Sequence, residues 1–189
     1  MISETVFTHK RFGFINFSTP LYRLNAVSDD CGCNIFVKRD DLLGTGLGGN
    51  KIRKLDFLIA DAVRKGSRMI ITSGSLQTNH GMLTALCAAK AGLKCALFLL
   101  IEDGCEKTLS GNLLLDDYIG CDIEFVDVSD IAASEKTVKE KDSLCSARLQ
   151  NAIECRLPLY RKKYGLQRDT DFYEIRSAGS SPTGVLGYC

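Results

Sequence analysis

A glycine-rich loop that ends in a lysine is the segment of this sequence best suited to chemistry. It runs Gly44-Thr-Gly-Leu-Gly-Gly-Asn50, and a helical pattern begins at Lys51. Glycines let a bound group approach the main chain, and a helix start favours an anion. The positive helix end also favours a neutral amine at Lys51, which can form a Schiff base with a carbonyl compound. The alternative is a solvated lysine on an ordinary capped helix, and the loop alone favours that alternative.

Two nucleotide-binding motifs fit this loop poorly. The spacing Gly44-x-Gly46-x-x-Gly49 matches the dinucleotide fingerprint, but that fingerprint directly follows a strand, and here other residues intervene. Asn50 interrupts the P-loop pattern, and Ile52 stands where that pattern requires Ser or Thr. A nucleotide-binding α/β domain is therefore a minor alternative.

A second polar segment, Thr72-Ser-Gly-Ser-Leu-Gln-Thr-Asn-His80, lies between a predicted strand and a predicted helix. Open α/β sheets bind ligands at the carboxyl ends of their strands, so its hydroxyls, amides and imidazole are candidate ligand contacts. The alternative is an ordinary loop with a Thr or Asx helix cap, in which His80 only caps or faces solvent.

An alternation of strands and helices positions these two segments. Apolar runs predict strands at residues 35–38, 69–72, 95–101, 122–126 and 172–175. Helices are predicted from residue 51 to a stop at Gly66, and at residues 78–91 and 109–119. The first helix has an apolar stripe formed by Leu55, Leu58, Ile59, Ala62 and Val63. This order predicts an α/β fold whose parallel sheet has helices on both faces.

The remaining sequence predicts a charged helical region and a short final helix. Residues 129–165 are mostly helical in pattern, and we expect Pro158 to kink or divide them. The basic cluster Arg161-Lys-Lys163 is interpreted as a solvated helix face rather than a phosphate site. Ser180 or Ser181, before Pro182, is the predicted start of a last helix.

Composition excludes several classes of function. The 189 residues include 24 Lys and Arg against 23 Asp and Glu, a net charge of +1, so no nucleic-acid partner is predicted. The longest apolar run, residues 95–101, is too short to span a membrane. The N-terminal residues lack the apolar region of a secretory signal, so a cytoplasmic location is predicted.

The nine cysteines are irregularly spaced, which favours free thiols in a reducing compartment. A zinc site at Cys31-x-Cys33 is disfavoured, because His9 and His80 lie far from it in the sequence.

Five segments resemble the D-cysteine desulfhydrase and 1-aminocyclopropane-1-carboxylate deaminase family. They are Lys38-Arg-Asp-Asp-Leu, Gly48-Gly-Asn-Lys-Ile-Arg-Lys-Leu-Asp-Phe-Leu58, Gln77-Thr-Asn-His80, Gly111-Asn-Leu-Leu-Leu-Asp116 and Gly179-Ser-Ser-x-x-Gly-x-x-Gly-Tyr188. The second is similar to the family's pyridoxal-phosphate lysine signature. The fourth leans toward the desulfhydrase branch.

The resemblance implies the type II pyridoxal-phosphate fold, similar to tryptophan synthase β, in which a smaller domain is inserted into a larger one. It predicts that residues 1–52 begin the larger cofactor domain, residues 53–168 form the inserted smaller α/β domain, and residues 169–189 begin the return. The smaller domain is then complete and the larger one incomplete. A homodimer is also implied.

The resemblance assigns roles to five residues. Lys51 holds the cofactor as a Schiff base, and Asn79 hydrogen-bonds the 3′-oxygen of its pyridine ring. Lys54 reaches the phosphate, and Asn50 adjoins the cofactor. Thr78 contacts the substrate in place of the family's serine. The added methyl group of Thr78 is expected to crowd the pocket and to disfavour the cyclopropane substrate.

The implied reaction is β-elimination from D-cysteine, giving pyruvate, ammonia and sulfide. Deamination of 1-aminocyclopropane-1-carboxylate is one alternative, and a truncated, non-catalytic paralogue is another. Family members continue beyond residue 189 and place the phosphate cup and the partner of the pyridine nitrogen there. We therefore expect this chain alone to retain the cofactor weakly or not at all, and to expose an apolar patch.

Overall fold

The computed structural model describes residues 10–105 and 107–189, so His9, considered above as a metal ligand, lies outside the described residues. The strands are β1 (Leu21–Arg23), β2 (Phe36–Lys38), β3 (Met69–Ser75), β4 (Lys94–Ile101), β5 (Asp122–Asp127) and β6 (Phe172–Ile175). The helices are α1 (Asn25–Cys31), α2 (Lys51–Arg64), α3 (Asn79–Lys90), α4 (Gly111–Ile119), α5 (Ser129–Ala132), α6 (Val138–Tyr164) and α7 (Pro182–Val185). Single 3-10 turns lie at Asp40–Leu42, Asp169–Asp171, Ser177–Gly179 and Leu186–Tyr188.

A four-stranded parallel sheet, ordered β5-β4-β3-β6, forms the centre of the fold. Met69 at the start of β3 lies opposite Lys94 of β4 and Phe172 of β6. The predicted parallel α/β sheet is thus confirmed, with helices packed on both sides. Strands β1 and β2 form a separate antiparallel pair.

Both faces of the sheet are buried, which explains why its central strands are continuously apolar. On one face, Ile70 packs in a core that includes Leu55 of α2, Leu83 of α3 and Leu113 of α4. On the other face, Ile71 packs in a core with residues of α6, including Tyr160. Alternate residues of one strand therefore serve different helices.

One local prediction was wrong, and one of the two outcomes expected of Pro158 does not occur. Val63, assigned to the apolar stripe, is 45% exposed, because the buried face of α2 runs through Ile52, Leu55, Ile59 and Ala62 instead. Residues 138–164 form one helix that contains Pro158 and is not divided by it. The proline is exposed, and buried Ile153 and Tyr160 anchor the helix on either side of it. Packing therefore compensates for the hydrogen bond that proline cannot donate.

The basic cluster Arg161-Lys-Lys163 forms ion pairs at the surface of the protein. Arg161 pairs with Asp169, and Lys163 pairs with Asp122, as expected of a solvated helix face. All nine cysteines are free thiols. Residues 10–105 and 107–189 contain no cluster of three or more potential metal ligands. In the same residues, no helix is long and apolar enough to cross a membrane.

The predicted domain boundary between residues 52 and 53 falls within the first turn of α2. The division into domains stays a prediction.

Candidate active site

Chain direction brings the two candidate segments to one edge of the sheet. Helix α2 is joined to β3 by the short turn 65–68 and packs back across the sheet, so its first residue lies toward the end of β3. Strand β6 runs parallel to β3, so the turn Ser177–Gly179 emerges at the same edge. Lys51, Thr78 and Asn79 are all placed at this edge, where open α/β sheets bind ligands.

The glycine loop is held by an ion pair between two motif segments. The carboxylate of Asp40 accepts hydrogen bonds from Arg53 Nε at 2.7 Å and Nη2 at 2.6 Å, and this guanidinium lowers the pKa of Asp40. The Asp40 carbonyl accepts a hydrogen bond from Gly49 N at 2.8 Å. A Cβ at Gly48 would lie 2.0 Å from the Asp41 carbonyl oxygen, so only glycine fits there. This network fixes the main chain immediately before Lys51.

Lys51 is the first residue of α2 and is half-buried. Its amine makes no hydrogen bond or ion pair with any residue that the structure describes. Asn50 precedes it as the N-cap, makes no side-chain capping bond, and accepts a hydrogen bond on its carbonyl from Tyr188 Oη at 3.1 Å. The Lys51 amine is therefore available to react at the positive end of a helix.

Lys54, one turn further along α2, is already engaged by the end of the chain. Its Nζ donates to the Ala178 carbonyl at 3.0 Å and lies 6.0 Å from the centre of the Tyr188 ring. Ala178 has a positive φ of 58°, an uncommon conformation for a residue with a side chain. The predicted role of Lys54 toward a phosphate remains a prediction.

Thr78 is the N-cap of α3, where its Oγ1 accepts a hydrogen bond from Gly81 N at 3.2 Å. Its methyl group faces two glycines. A Cβ at Gly81 would lie 2.4 Å from that methyl carbon, and one at Gly74 would lie 2.8 Å from it. The glycines thus make room for threonine. Whether the methyl group also crowds a substrate is not tested, and that expectation stays a prediction.

Asn79 is exposed, and its side-chain oxygen is held in place. Asn112 Nδ2 donates to Asn79 Oδ1 at 2.7 Å and lies 2.9 Å from the Gln77 carbonyl oxygen, to which it also donates. The Nδ2 of Asn79 has no protein partner among the described residues. It is therefore a hydrogen-bond donor left over at the sheet edge.

His80 is buried directly beneath these residues. Its Nε2 lies 3.0 Å from Thr72 Oγ1, whose own proton is donated to the Ile175 carbonyl at 2.7 Å. His80 Nε2 must therefore carry the ring proton, which leaves Nδ1 as a buried acceptor without a partner in the described part of the chain. Burial, and after it the charges of Lys51 and Lys54, lower the pKa of His80 to about 4, so the ring is neutral at pH 7.

These groups suit a particular kind of ligand. Among the described residues, this edge offers one amine and one amide donor without a protein partner, together with a second lysine and the start of a helix. A carbonyl compound that carries a ring acceptor and a negative charge matches this set of donors. The residues present therefore fit a phosphorylated aromatic aldehyde.

Asn112 had no role in the predictions from sequence, and the side chain of Gln77, one of the amides predicted to contact a ligand, binds the main chain at the start of α4 instead. Both fall in segments that resemble the family, but they are 35 residues apart. No local spacing in the sequence shows that they meet, because the contact depends on the tertiary fold.

Comparisons with known proteins agree with this geometry. The family described as pyridoxal-phosphate dependent enzyme matches residues 14–188. The chain is 47% identical over 181 residues to a D-cysteine desulfhydrase of Klebsiella pneumoniae, covering 94% of this chain and 48% of that protein. It is 37% identical over 178 residues to a protein of Pyrococcus horikoshii named as a candidate 1-aminocyclopropane-1-carboxylate deaminase, covering 94% and 47%.

A solved structure of an ACC deaminase homologue superimposes with a TM-score of 0.76 at 32% identity, covering 99% of this chain and 50% of that one. The chain thus spans about half the length of the relatives that it matches.

Proposed function

Because this chain belongs to the pyridoxal-phosphate-dependent enzyme family, we propose that it carries the Lys51 half of an active site for β-elimination from a small amino acid, with D-cysteine as substrate. The available amine of half-buried Lys51, at the sheet edge beside Thr78 and Asn79, is the observation that carries this proposal. D-cysteine is preferred because identity is higher to the named desulfhydrase, 47%, than to the named deaminase, 37%.

Four of the predicted residues would hold the cofactor. Lys51 Nζ would form the covalent bond, and Asn79 Nδ2 would donate to the oxygen on the pyridine ring. Lys54 and the main chain after Asn50, at the start of α2, would supply positive charge for the phosphate. When bound, pyridoxal phosphate draws electrons away from the α-carbon of an amino acid.

The side chains then have distinct tasks. The neutral amine of Lys51 would accept the α-proton of the substrate. The hydroxyl oxygen of Thr78 is occupied by Gly81 N, so its proton is available to donate to the substrate carboxylate. His80 stays neutral at pH 7 and therefore adds no positive charge beside Lys51. The overall reaction converts D-cysteine and water into pyruvate, ammonia and hydrogen sulfide.

Product analysis tests the proposal. The chain, supplied with pyridoxal phosphate, is incubated with D-cysteine, L-cysteine and 1-aminocyclopropane-1-carboxylate. We expect sulfide and pyruvate in equal amounts from D-cysteine, and neither from the Lys51→Ala variant. Lys162→Ala, at an exposed lysine of α6, is the matched control and should retain the activity. Sulfide release that survives Lys51→Ala would contradict the role of Lys51.

One alternative has specific support. Deamination of the cyclopropane substrate is supported by the likeness to the ACC deaminase homologue, and its product would be 2-oxobutanoate.

The homodimer and the division into domains are further proposals that rest on the family resemblance, and the cytoplasmic location is a proposal that rests on the irregularly spaced, free cysteines.

A further inference from the structure

The loop after β3 is tied to the start of α4 by a reciprocal clasp, which we define as the side chains of Gln77 and Asn112. Gln77 Oε1 accepts a hydrogen bond from Asn112 N at 2.8 Å, and Gln77 Nε2 donates to the Ser110 carbonyl at 3.1 Å. Asn112 Nδ2 returns a bond of 2.9 Å to the Gln77 carbonyl. Each residue therefore binds main-chain atoms of the other's segment.

Gly111 permits the clasp. It has a φ of 55°, and a Cβ at this position would lie 2.6 Å from Gln77 Oε1. A side chain at residue 111 would therefore be strained by its backbone and would also push Gln77 away. The glycine, Gln77 and Asn112 form one unit although the two halves are distant in sequence.

We propose that this clasp orients the side-chain amide of Asn79, with Asn112 as the positioning residue; the inference rests on the proposed function. An asparagine amide has an oxygen acceptor on one side and an NH2 donor on the other. One N–H of Asn112 is used by the Gln77 carbonyl and the other by Asn79 Oδ1. Because Asn112 presents only N–H groups at this contact, the amide of Asn79 is held with its oxygen toward Asn112 and its NH2 group away from Asn112, toward the proposed ligand.

As a consequence, Asn79 presents a hydrogen-bond donor, and not an acceptor, to the ligand. A donor at Asn79 Nδ2 can bind an oxygen acceptor on the cofactor ring, whereas the flipped amide would present a second acceptor to it. Two facing acceptors repel and leave both unsatisfied. The clasp would therefore set whether Asn79 attracts or repels the ring oxygen, without itself touching the cofactor.

Replacement of Asn112 by aspartate reverses this polarity. An aspartate side chain has a similar shape but only acceptors. It loses the bond to the Gln77 carbonyl, as alanine also does, and it should make Asn79 turn its NH2 group toward residue 112 and its oxygen toward the ligand. We expect Asn112→Asp to weaken pyridoxal phosphate binding by about tenfold, and Asn112→Ala, which frees the amide to rotate, by about threefold. Binding is measured as the fraction of chain trapped by borohydride over a range of pyridoxal phosphate concentrations.

Thermal unfolding distinguishes a loss of cofactor binding caused by a wrongly oriented Asn79 from one caused by a destabilised fold. Residue 112 lies in the first turn of α4, where a carboxylate is favoured by the helix dipole. We therefore expect Asn112→Asp to lower Tm no more than Asn112→Ala does, although it binds cofactor more weakly. Asn151→Asp, at an exposed position on α6, is the matched control for the added charge and should change neither quantity.

Side-chain amide exchange measured by NMR tests the orientation without any cofactor. In the unchanged chain, the NH2 protons of Asn112 should exchange more slowly than those of Asn79. In Asn112→Asp the Asn79 protons should become protected. Faster exchange at Asn112 than at Asn79 in the unchanged chain would overturn the orientation.

The two hypotheses fail in different ways. If the unchanged chain shows no site-specific binding of pyridoxal phosphate, the proposed function fails, and with it the role of the clasp. If it binds, and Asn112→Asp binds as tightly as Asn112→Ala or tighter, the positioning role alone is overturned.

Discussion

Asp116 provides a prediction about stability whose size can be worked out from the structure. It lies on α4 with 0% of its surface exposed, and neither carboxylate oxygen has a hydrogen-bond partner in the described residues. Burial without a partner disfavours the charged form and raises the pKa of Asp116 to about 7. The folded chain therefore keeps this carboxyl protonated at pH values where the unfolded chain ionises it.

The sign of the pH dependence follows from this difference. Between about pH 4 and pH 7 the folded state binds one more proton than the unfolded state, so stability falls as pH rises, by about 1.4 kcal/mol per pH unit. Above the folded pKa the loss is complete. From pH 5 to pH 8 this predicts a loss of up to about 2.5 kcal/mol, and we expect about 1 to 2.5 kcal/mol because residual solvation screens the charge.

Urea unfolding of the unchanged chain and of Asp116→Asn, at pH 5 and at pH 8, measures this loss. Asparagine has almost the same volume and is neutral at both pH values. The stability of Asp116→Asn relative to the unchanged chain should therefore be higher at pH 8 than at pH 5 by the amount above. His80, whose pKa is lowered to about 4, contributes a pH dependence of opposite sign, but it is common to both chains and cancels.

An equal effect of Asp116→Asn at the two pH values would refute the reasoning, since it would mean that Asp116 ionises alike in the folded and unfolded states. If the stability of Asp116→Asn relative to the unchanged chain were lower at pH 8 than at pH 5, the expected sign would be reversed, because the ionised carboxylate would then stabilise the folded state.

Three further predictions concern close contacts and thiols. Gly81→Ala should lower the free energy of unfolding by about 1–3 kcal/mol, because the new methyl group overpacks against the Thr78 methyl group. Adding Thr78→Ser to this variant should restore part of the lost free energy. Chemical denaturation of the single and the double variant measures both effects. Gly187→Ala would place a Cβ 2.3 Å from a carbonyl oxygen of α2, so limited proteolysis should cleave its C-terminal segment faster than that of the unchanged chain. Iodoacetamide followed by peptide mass mapping should modify exposed Cys31 in the native chain, and should modify Cys87, whose pKa burial raises to about 12, only in denaturant.

The sheet could be predicted from sequence because its signals are local. The apolar residues of the strand Lys94–Ile101 indicate a buried strand, and the glycines after the helices indicate where the helices end. Both signals lie within a few residues of the feature that they predict. The starts of α2 and α3 were placed within one residue for the same reason. Pro158 does not divide its helix, because the loss of one N–H donor is outweighed by packing at Ile153 and Tyr160, which the sequence alone does not show.

The site was predictable only in part. Lys51, Thr78 and Asn79 stand beside glycines and helix starts, so local chemistry and the family resemblance both indicate them. The bond from Asn112 to Asn79 joins residues 33 apart, and the Arg53 pair with Asp40 also crosses a turn of the loop. Such contacts follow from how the elements pack, and no spacing in the sequence encodes them.

The central claim is that Lys51 carries pyridoxal phosphate. The most direct test is to incubate the chain with limiting pyridoxal phosphate, reduce with borohydride, and locate the modified lysines by peptide mass mapping. Reduction makes even a weakly held cofactor permanent. We expect a visible absorption band before reduction and modification concentrated on Lys51, both lost in Lys51→Ala and kept in Lys162→Ala. Modification spread evenly over the exposed lysines, and unchanged by Lys51→Ala, would contradict it.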